Sequence, residues 1–436
     1  MNSRQSSTSA TVAPDPGFNG TGVWFPAGTN PEANLIFGVA VQTVSNGGYV
    51  YFTGEADGGL RGRVYVLGRL KPDGTLDSKF AKNGIASDNF ASNSPSAGFS
   101  IILQIDGKIL LVGLAGSRTI PALARYNADG TLDMTFGSDR NGHLVIPRPA
   151  SRRGLSALKR VQEQDFTPCV VPMANGKILI AHTYFASHIA DTRAFIFVLN
   201  SDGTPDTTFN KTGRLQVILP GANPDSVKLN SGFIDDKGNI AVCGKLTENR
   251  EPAGLFIARY TPQGVPDTSF HGTGFRVFKT PDLVDATLNS LVRQTNNRLL
   301  GVGNTSDGQG FLISLEANGE VNIQFNSGKT LFTQLENNLT VWRDAAMQPD
   351  GKILLMGAIT ATLRSYAVLA RLLSDGKQDT EFSDNSFWVK ARASTFLSSL
   401  ALQDDGKIIV GGFEYPTGSK KAMVMRFHRG IGGKNK

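Results

Sequence analysis

Asp15, Asp77, Asp133, Asp206, Asp267 and Asp379 each stand three residues before a phenylalanine, at Phe18, Phe80, Phe136, Phe209, Phe270 and Phe382. A seventh copy, Asn322 before Phe325, carries an amide instead. Recurring carboxylates could hold calcium, but calcium takes about six to eight oxygens and each copy offers one carboxylate beyond the acid of the preceding turn. The spacing fits an acid that accepts backbone N–H bonds just after a turn. Arginines recur on the same period inside apolar segments, at Arg69, Arg125, Arg259, Arg371 and Arg426, with Val198 and Ser314 in the two remaining slots. A guanidinium withdrawn from water needs a partner, and the repeat acids supply one. Ser314 lies in the same copy as Asn322, so the cation and the anion are lost together. Structural Arg–Asp bridges within or between repeats are expected, rather than a ring of substrate-binding arginines.

Other chemistry-bearing residues are sparse. The five histidines are His143, His182, His188, His271 and His428. His182, His188 and Asp191 could in principle supply three metal ligands, but their spacing matches no structural zinc pattern. They read as part of a long solvent-facing loop, and no metal or cofactor is expected. Cys169 and Cys243 sit among apolar neighbours in different repeats and read as buried free thiols. Neither a Gly-x-Ser-x-Gly elbow nor His-Glu-x-x-His is present, and no catalytic residue is assigned. Gly137 to His143 has Walker-like glycine spacing without the lysine, and Gly17 to Gly22 has glycines without a following helix. One stretch, 148–160, holds five basic residues and no acid: Arg148, Arg152, Arg153, Lys159 and Arg160. With Tyr184 in a nearby segment, it is the candidate contact for an acidic partner.

The elements that must position these residues follow from the period. The closing phenylalanine returns every 55 to 73 residues. A second motif recurs out of phase with it, best seen in Gln104–Gly113, with relatives starting at Met173, Ile234, Gln294, Gln348 and Gln403 and a weak one at Gln42. A fixed period over most of a chain marks a repeat architecture. Each unit resolves into four short strands, in the second unit near Ser100–Gln104, Lys108–Gly113, Ala122–Asn127 and His143–Pro147. Asp-Gly between apolar runs is a hairpin signal, because glycine tolerates the positive φ of the turn. A four-stranded antiparallel sheet this small cannot bury both faces alone, and radial stacking buries them against one another. The expected fold is all-β, a seven-bladed β-propeller. The segment Gly22–Pro26 is an outer strand and Met423–Phe427 a third strand with none to follow, so the N-terminal strand pairs with the C-terminal one and closes the ring.

The paired motifs resemble the delta-60 repeat, a bacterial β-propeller repeat of unknown function. The residues that carry the resemblance are Leu123 to Asp133 and Gln348 to Leu354. It extends over nearly the whole chain, with departures at Asn322 and Val198. The resemblance implies the fold and no activity. Ser201 to Phe209 also looks a little like the Asp-box of sialidase propellers, which is itself a structural hairpin.

The chain of 436 residues is read as a lead over 1–13, one closed domain over 14–429 and a short basic tail over 430–436. No apolar run reaches membrane-spanning length, and the first residues lack the apolar core of a signal peptide. A cytoplasmic protein, or one exported without a cleaved leader, is expected. The net charge of +7 is mild and scattered, which argues against a nucleic-acid phosphate stripe. The near-identical turns join strands one to two and three to four, and so share one face. The loops from strand two to three and the links between blades vary and lie on the other face, where binding usually sits. The function expected is a non-enzymatic scaffold that binds a protein partner through this variable face. A carbohydrate- or cell-surface-binding propeller and a lyase or hydrolase with a top-face site are the alternatives. Tyr184, Tyr366 and Tyr415 appear in only some loops, which departs from the blade-by-blade pocket of lectin propellers.

Overall fold

The computed structural model describes residues 12–26, 34–92, 94–116, 119–149, 168–173, 176–185, 192–222, 227–249, 251–361, 364–383, 387–389, 394–415 and 420–429. Seven four-stranded antiparallel sheets account for its strands. From the centre outward, blade one is Leu35–Val41, Val50–Asp57, Arg63–Leu70 and Ile85–Asp88. Blade two is Ala97–Leu103, Ile109–Ala115, Ile120–Tyr126 and His143–Val145; blade three is Cys169–Pro172, Ile178–Phe185, Thr192–Leu199 and Arg214–Gln216. Blade four is Val227–Ile234, Ile240–Glu248, Glu251–Tyr260 and Phe275–Phe278; blade five is Thr287–Arg293, Leu299–Asn304, Gly310–Leu315 and Leu331–Thr333. Blade six is Leu339–Met347, Ile353–Ala361, Arg364–Leu372 and Phe387–Val389. Blade seven takes Ser394–Leu402, Ile408–Tyr415 and Lys421–Phe427 from the end of the chain and Val23–Trp24 from its beginning. Each first strand contacts the first strand of both neighbours, so seven inner strands surround a central channel. The chain is a seven-bladed propeller, and no α-helix occurs among the described residues.

The ring closes as its ends require. Val23 pairs with Met425 and Trp24 with Val424. Main-chain bonds run from Asp15 N to Arg426 O at 2.8 Å and from Arg426 N to Gly22 O at 2.9 Å. The outer edge of Lys421–Phe427 is thereby paired rather than left as an open template.

Blades adhere through apolar side chains that alternate along the strands. The second cluster in the chain joins Tyr51, Tyr65 and Phe80 of blade one to Ile101, Leu111 and Tyr126 of blade two. Every repeat phenylalanine is 0–1 % exposed. Burying one such ring contributes about 1.5–3 kcal/mol, and the motif places one in every blade.

The inner strands contain a feature that residue type does not reveal. In blades one, two, four, five, six and seven the ladder skips one inner-strand residue: Phe37, Phe99, Asn230, Asn289, Arg343 and Ser398. Each is a β-bulge, one extra residue opposing none on the partner strand. The glycine that ends the second motif faces each bulge. A Cβ at Gly54, Gly113, Gly244, Gly303, Gly357 or Gly412 would lie 1.8–2.1 Å from an inner-strand carbonyl oxygen. Blade three is the exception: its described inner strand begins at Cys169, past the bulge position, and His182 stands where the others have glycine.

Candidate binding site at the mouth of the central channel

The repeat motifs assemble on the face of the Asp-Gly turns. In blade two Arg125 Nε donates to Asp133 Oδ2 at 2.6 Å, and Asp133 Oδ1 accepts from the Thr135 amide at 3.1 Å and hydroxyl at 2.7 Å. The guanidinium lies 4.8 Å from the Phe136 ring centroid. It also donates to the carbonyl of Ser201, in the outer turn of blade three. The same pattern joins Arg69 to Asp77 and Ala128 O, Arg259 to Asp267 and Ala317 O, Arg371 to Asp379 and Arg429 O, and Arg426 to Asp15 and Pro72 O. Each arginine therefore holds its own turn and the next blade's turn together. This face is built of structural contacts.

Lysines of the second motif complete the charge pairing, which inspection of either motif alone does not show. Lys108 Nζ lies 2.9 Å from Asp133 Oδ2 and Lys352 Nζ 2.9 Å from Asp379 Oδ2. In blade three, where Val198 replaces arginine, Lys177 Nζ reaches Asp206 Oδ2 at 2.7 Å and serves in its place. In blade five the network is neutral: Asn322 Nδ2 donates to Ser314 Oγ at 3.0 Å, and Ser314 Oγ donates to Gln294 Oε1 at 2.7 Å. Burial alone would raise the Asp133 carboxyl, but Lys108, Thr135 and Arg125 outweigh it and hold the group well below the ordinary carboxylate range. Asp15, Asp206, Asp267 and Asp379 are lowered in the same way, burial being overcome by backbone amides, hydroxyls and cations.

Two segments differ from their sequence-based reading. His182 lies not on a loop but in the strand Ile178–Phe185, 2 % exposed, with Nε2 3.3 Å from Thr119 O. Burial pushes its pKa down to about 4, so it is neutral at pH 7. Tyr184 is on the same strand, 3 % exposed, its hydroxyl donating to Ile146 O at 3.1 Å. The alternation of the strand turns it into the core, where it cannot meet a partner directly. Arg148 is half-buried, its pKa lowered by desolvation and by the nearby charge of Arg193. Arg152, Arg153, Lys159, Arg160, His188 and Asp191 lie outside the described residues, as do the leading residues 1–11 and the tail 430–436.

The remaining titratable clusters are occupied by their own contacts. A groove of about 920 Å³ at the rim is lined by Trp24, Arg61, Lys79, Asp88 and Tyr126 among others. Behind it Tyr65 Oη lies 2.8 Å from Tyr126 Oη and 2.8 Å from His143 Nε2. Burial raises both phenol pKa values and lowers that of the imidazole, so all three are neutral at pH 7 and form an inter-blade tie. Cys169 and Cys243 are free, and burial pushes the Cys169 thiol up to about 12. Among the described residues no group of three His, Cys, Asp or Glu side chains is placed to hold a metal ion.

The variable face is different. Strand Ile408–Tyr415 of blade seven ends there, and its inner neighbour Ser394–Leu402 starts there. Phe396 and Phe413 stack at 5.1 Å with an interplanar angle of 18°, and Tyr415 meets both edge-on at 5.9 and 5.8 Å. All three are only partly buried, and the exposed Lys420 places Nζ 5.7 Å from the Phe413 centroid. Nearer the channel Phe37 stacks on Phe99 at 4.8 Å, whereas the bulge residues of blades four to six are Asn230, Asn289 and Arg343. The bulge positions are thus aromatic in blades one and two and polar in blades four to seven.

A family model described as a β-propeller domain of unknown function (DUF5122) matches residues 104–136 and 348–382. The two matched segments are similar to that propeller repeat. No curated protein matches it. Among solved structures, a protein of unknown function from Dyadobacter fermentans is 12 % identical, with 93 % of this chain and 98 % of that one covered and a TM-score of 0.44. Polysaccharide lyase Uly1 is 11 % identical over 93 % of this chain and 91 % of that one, with a TM-score of 0.48. The NanB sialidase of Streptococcus pneumoniae is 10 % identical over 92 % and 70 %, with a TM-score of 0.39. No helix of the described chain is long and apolar enough to cross a membrane.

Proposed function

We propose that this propeller is a non-catalytic scaffold that binds a protein partner through its variable face. The observation that carries the reading is the contrast between the two faces. On one, the arginines, repeat acids and neighbouring lysines are committed to one another and to turn carbonyls. On the other, Phe396, Phe413 and Tyr415 form a partly exposed aromatic cluster with Lys420 beside it. Aromatic side chains are what interface cores are enriched in, because they offer large rigid area at small entropic cost. A flat stacked pair also suits the face of a pyranose ring, so a glycan is the second reading.

The test uses two full-length baits, wild type and Phe413→Ser/Tyr415→Ser, in pull-downs from host lysate, with a glycan array in parallel. A protein held by the wild type and lost from the variant supports the scaffold. Glycan binding that disappears in the variant, with no protein retained, replaces it with the second reading. A partner held equally by both baits removes the aromatic cluster from the interface and overturns the assignment to this part of the face.

A further inference from the structure

The bulges around the channel point to a site that the repeat motifs do not encode. A bulge residue lies outside the ladder, so its side chain is released from strand pairing and can differ from blade to blade. In blades four and five it is an asparagine that reaches the next blade: Asn230 Nδ2 donates to Leu288 O at 2.9 Å, and Asn289 Nδ2 to Trp342 O at 2.8 Å. Asn289 is therefore fixed beside the peptide that leads into Arg343. Blade six breaks the series with Arg343, which is exposed to solvent and has no hydrogen bond, ion pair or ring contact among the described residues. The five strand-three arginines, Arg69, Arg125, Arg259, Arg371 and Arg426, all have carboxylate partners.

The adjacent acid does not neutralise it. Asp344 Oδ1 accepts from Ser290 Oγ at 2.9 Å and from the Ala345 amide at 2.9 Å, which ties it to blade five. The protein around Arg343 lowers its pKa by desolvation, with no opposing contribution. A solvent-exposed guanidinium on the inner strand with no partner among the described residues leaves its N–H donors open to an anion. Guanidinium presents paired N–H donors that match a carboxylate.

We propose that the central channel binds a small organic acid, its carboxylate seated on the Arg343 guanidinium at the seam between blades five and six. The site is separate from the aromatic cluster of blade seven, so it stands or fails apart from the scaffold reading.

The probe is citrate, titrated into the full-length protein by calorimetry at constant ionic strength, with sodium chloride as the matched control. Wild type is expected to bind with saturation and near one equivalent. Arg343→Gln should weaken binding by about 10- to 100-fold, the range for a hydrogen bond to a charged group. Arg343→Lys should recover part of it, since the charge returns without the fork. Because the side chain has no partner among the described residues, Arg343→Gln should melt no lower than wild type in citrate-free buffer. A non-saturating wild-type isotherm, or equal affinity in Arg343→Gln, overturns the proposal. So does a marked drop in melting temperature of that variant without ligand, which would give the arginine a structural role.

Discussion

Arg426 Nε donates to Asp15 Oδ2 at 2.8 Å across 411 residues of chain, and both side chains are 6 % exposed. In the other clasps the arginine and the acid are eight residues apart, on one strand and its following turn. Here the same pair is divided between the two ends of the polypeptide, so a local motif has become the lock of the ring.

Removing one member of that lock leaves the other charge buried and unpaired. Asp15→Ala is expected to destabilise the protein by about 3–5 kcal/mol, read as a lowered urea midpoint. Arg69→Ala, whose partner Asp77 is local, should leave the ends paired. Limited proteolysis should then clip the N-terminal segment in Asp15→Ala and spare it in Arg69→Ala. Equal protection in the two variants would falsify the lock.

Acid should loosen the clasps together. Asp15, Asp133, Asp206, Asp267 and Asp379 all have folded pKa values below the unfolded one. Their stabilisation is fully present above about pH 4 and is lost as pH falls through the folded values. The melting temperature should decline steeply below pH 4, and Asp133→Asn should shift it less with pH. A melting temperature flat between pH 5 and pH 2 would contradict this.

Asp344 has the opposite sign. Desolvation raises its pKa from 3.8 to about 6, against weaker lowering by Ser290 and the Ala345 amide. The folded state binds the proton more tightly, so this contribution to stability is present below pH 4 and falls away as pH rises through about 6. Asp344→Asn keeps an acceptor for Ser290 and removes the charge. It should be more stable than wild type above pH 6, by up to about 3 kcal/mol, and gain little at pH 4. Parallel urea titrations at pH 4 and pH 8 would show it, and equal gains at both would exclude charge as the cause.

Gly113 and Gly107 separate two reasons for glycine. A Cβ at Gly113 would lie 2.1 Å from Ala97 O and 2.7 Å from the Phe90 ring. Gly107 has φ of +81° and nothing within 4 Å. Gly107→Ala should cost about 1 kcal/mol of backbone strain. Gly113→Ala should cost roughly 1–3 kcal/mol or more, as overpacking that also straightens the bulge. Comparable losses in denaturation would mean that the bulge gives way freely.

The propeller was legible because its turns are written in residue type. Asp-Gly, the closing phenylalanine and the Arg/Asp alternation are local patterns that recur, so period alone yields blade number and closure. The bulges were not legible, because a residue released from the ladder has no required type: Phe37, Asn230 and Arg343 share a position and nothing else. Their only trace is the glycine opposite. Lys177 leaves no such mark because it substitutes for an arginine from a neighbouring strand, a relation that exists only in space. The segment Ala181–Tyr184 read as a loop because His182 and Thr183 are polar, yet both are buried and bonded within the inter-blade seam.

The clasp between neighbouring turns is missing its guanidinium at two places, after blade three at Val198 and after blade five at Ser314. Main-chain bonds from Asn210 N to Gln263 O and from Asn326 N to Asp375 O still cross those junctions, at 2.9 and 3.0 Å. Blades four and five, fastened to each other by Arg259, are thus a two-blade segment set between softer joints. A closed ring with two soft joints yields by flexing like a bracelet with two hinges, so hydrogen exchange should start inside the chain rather than at its paired ends.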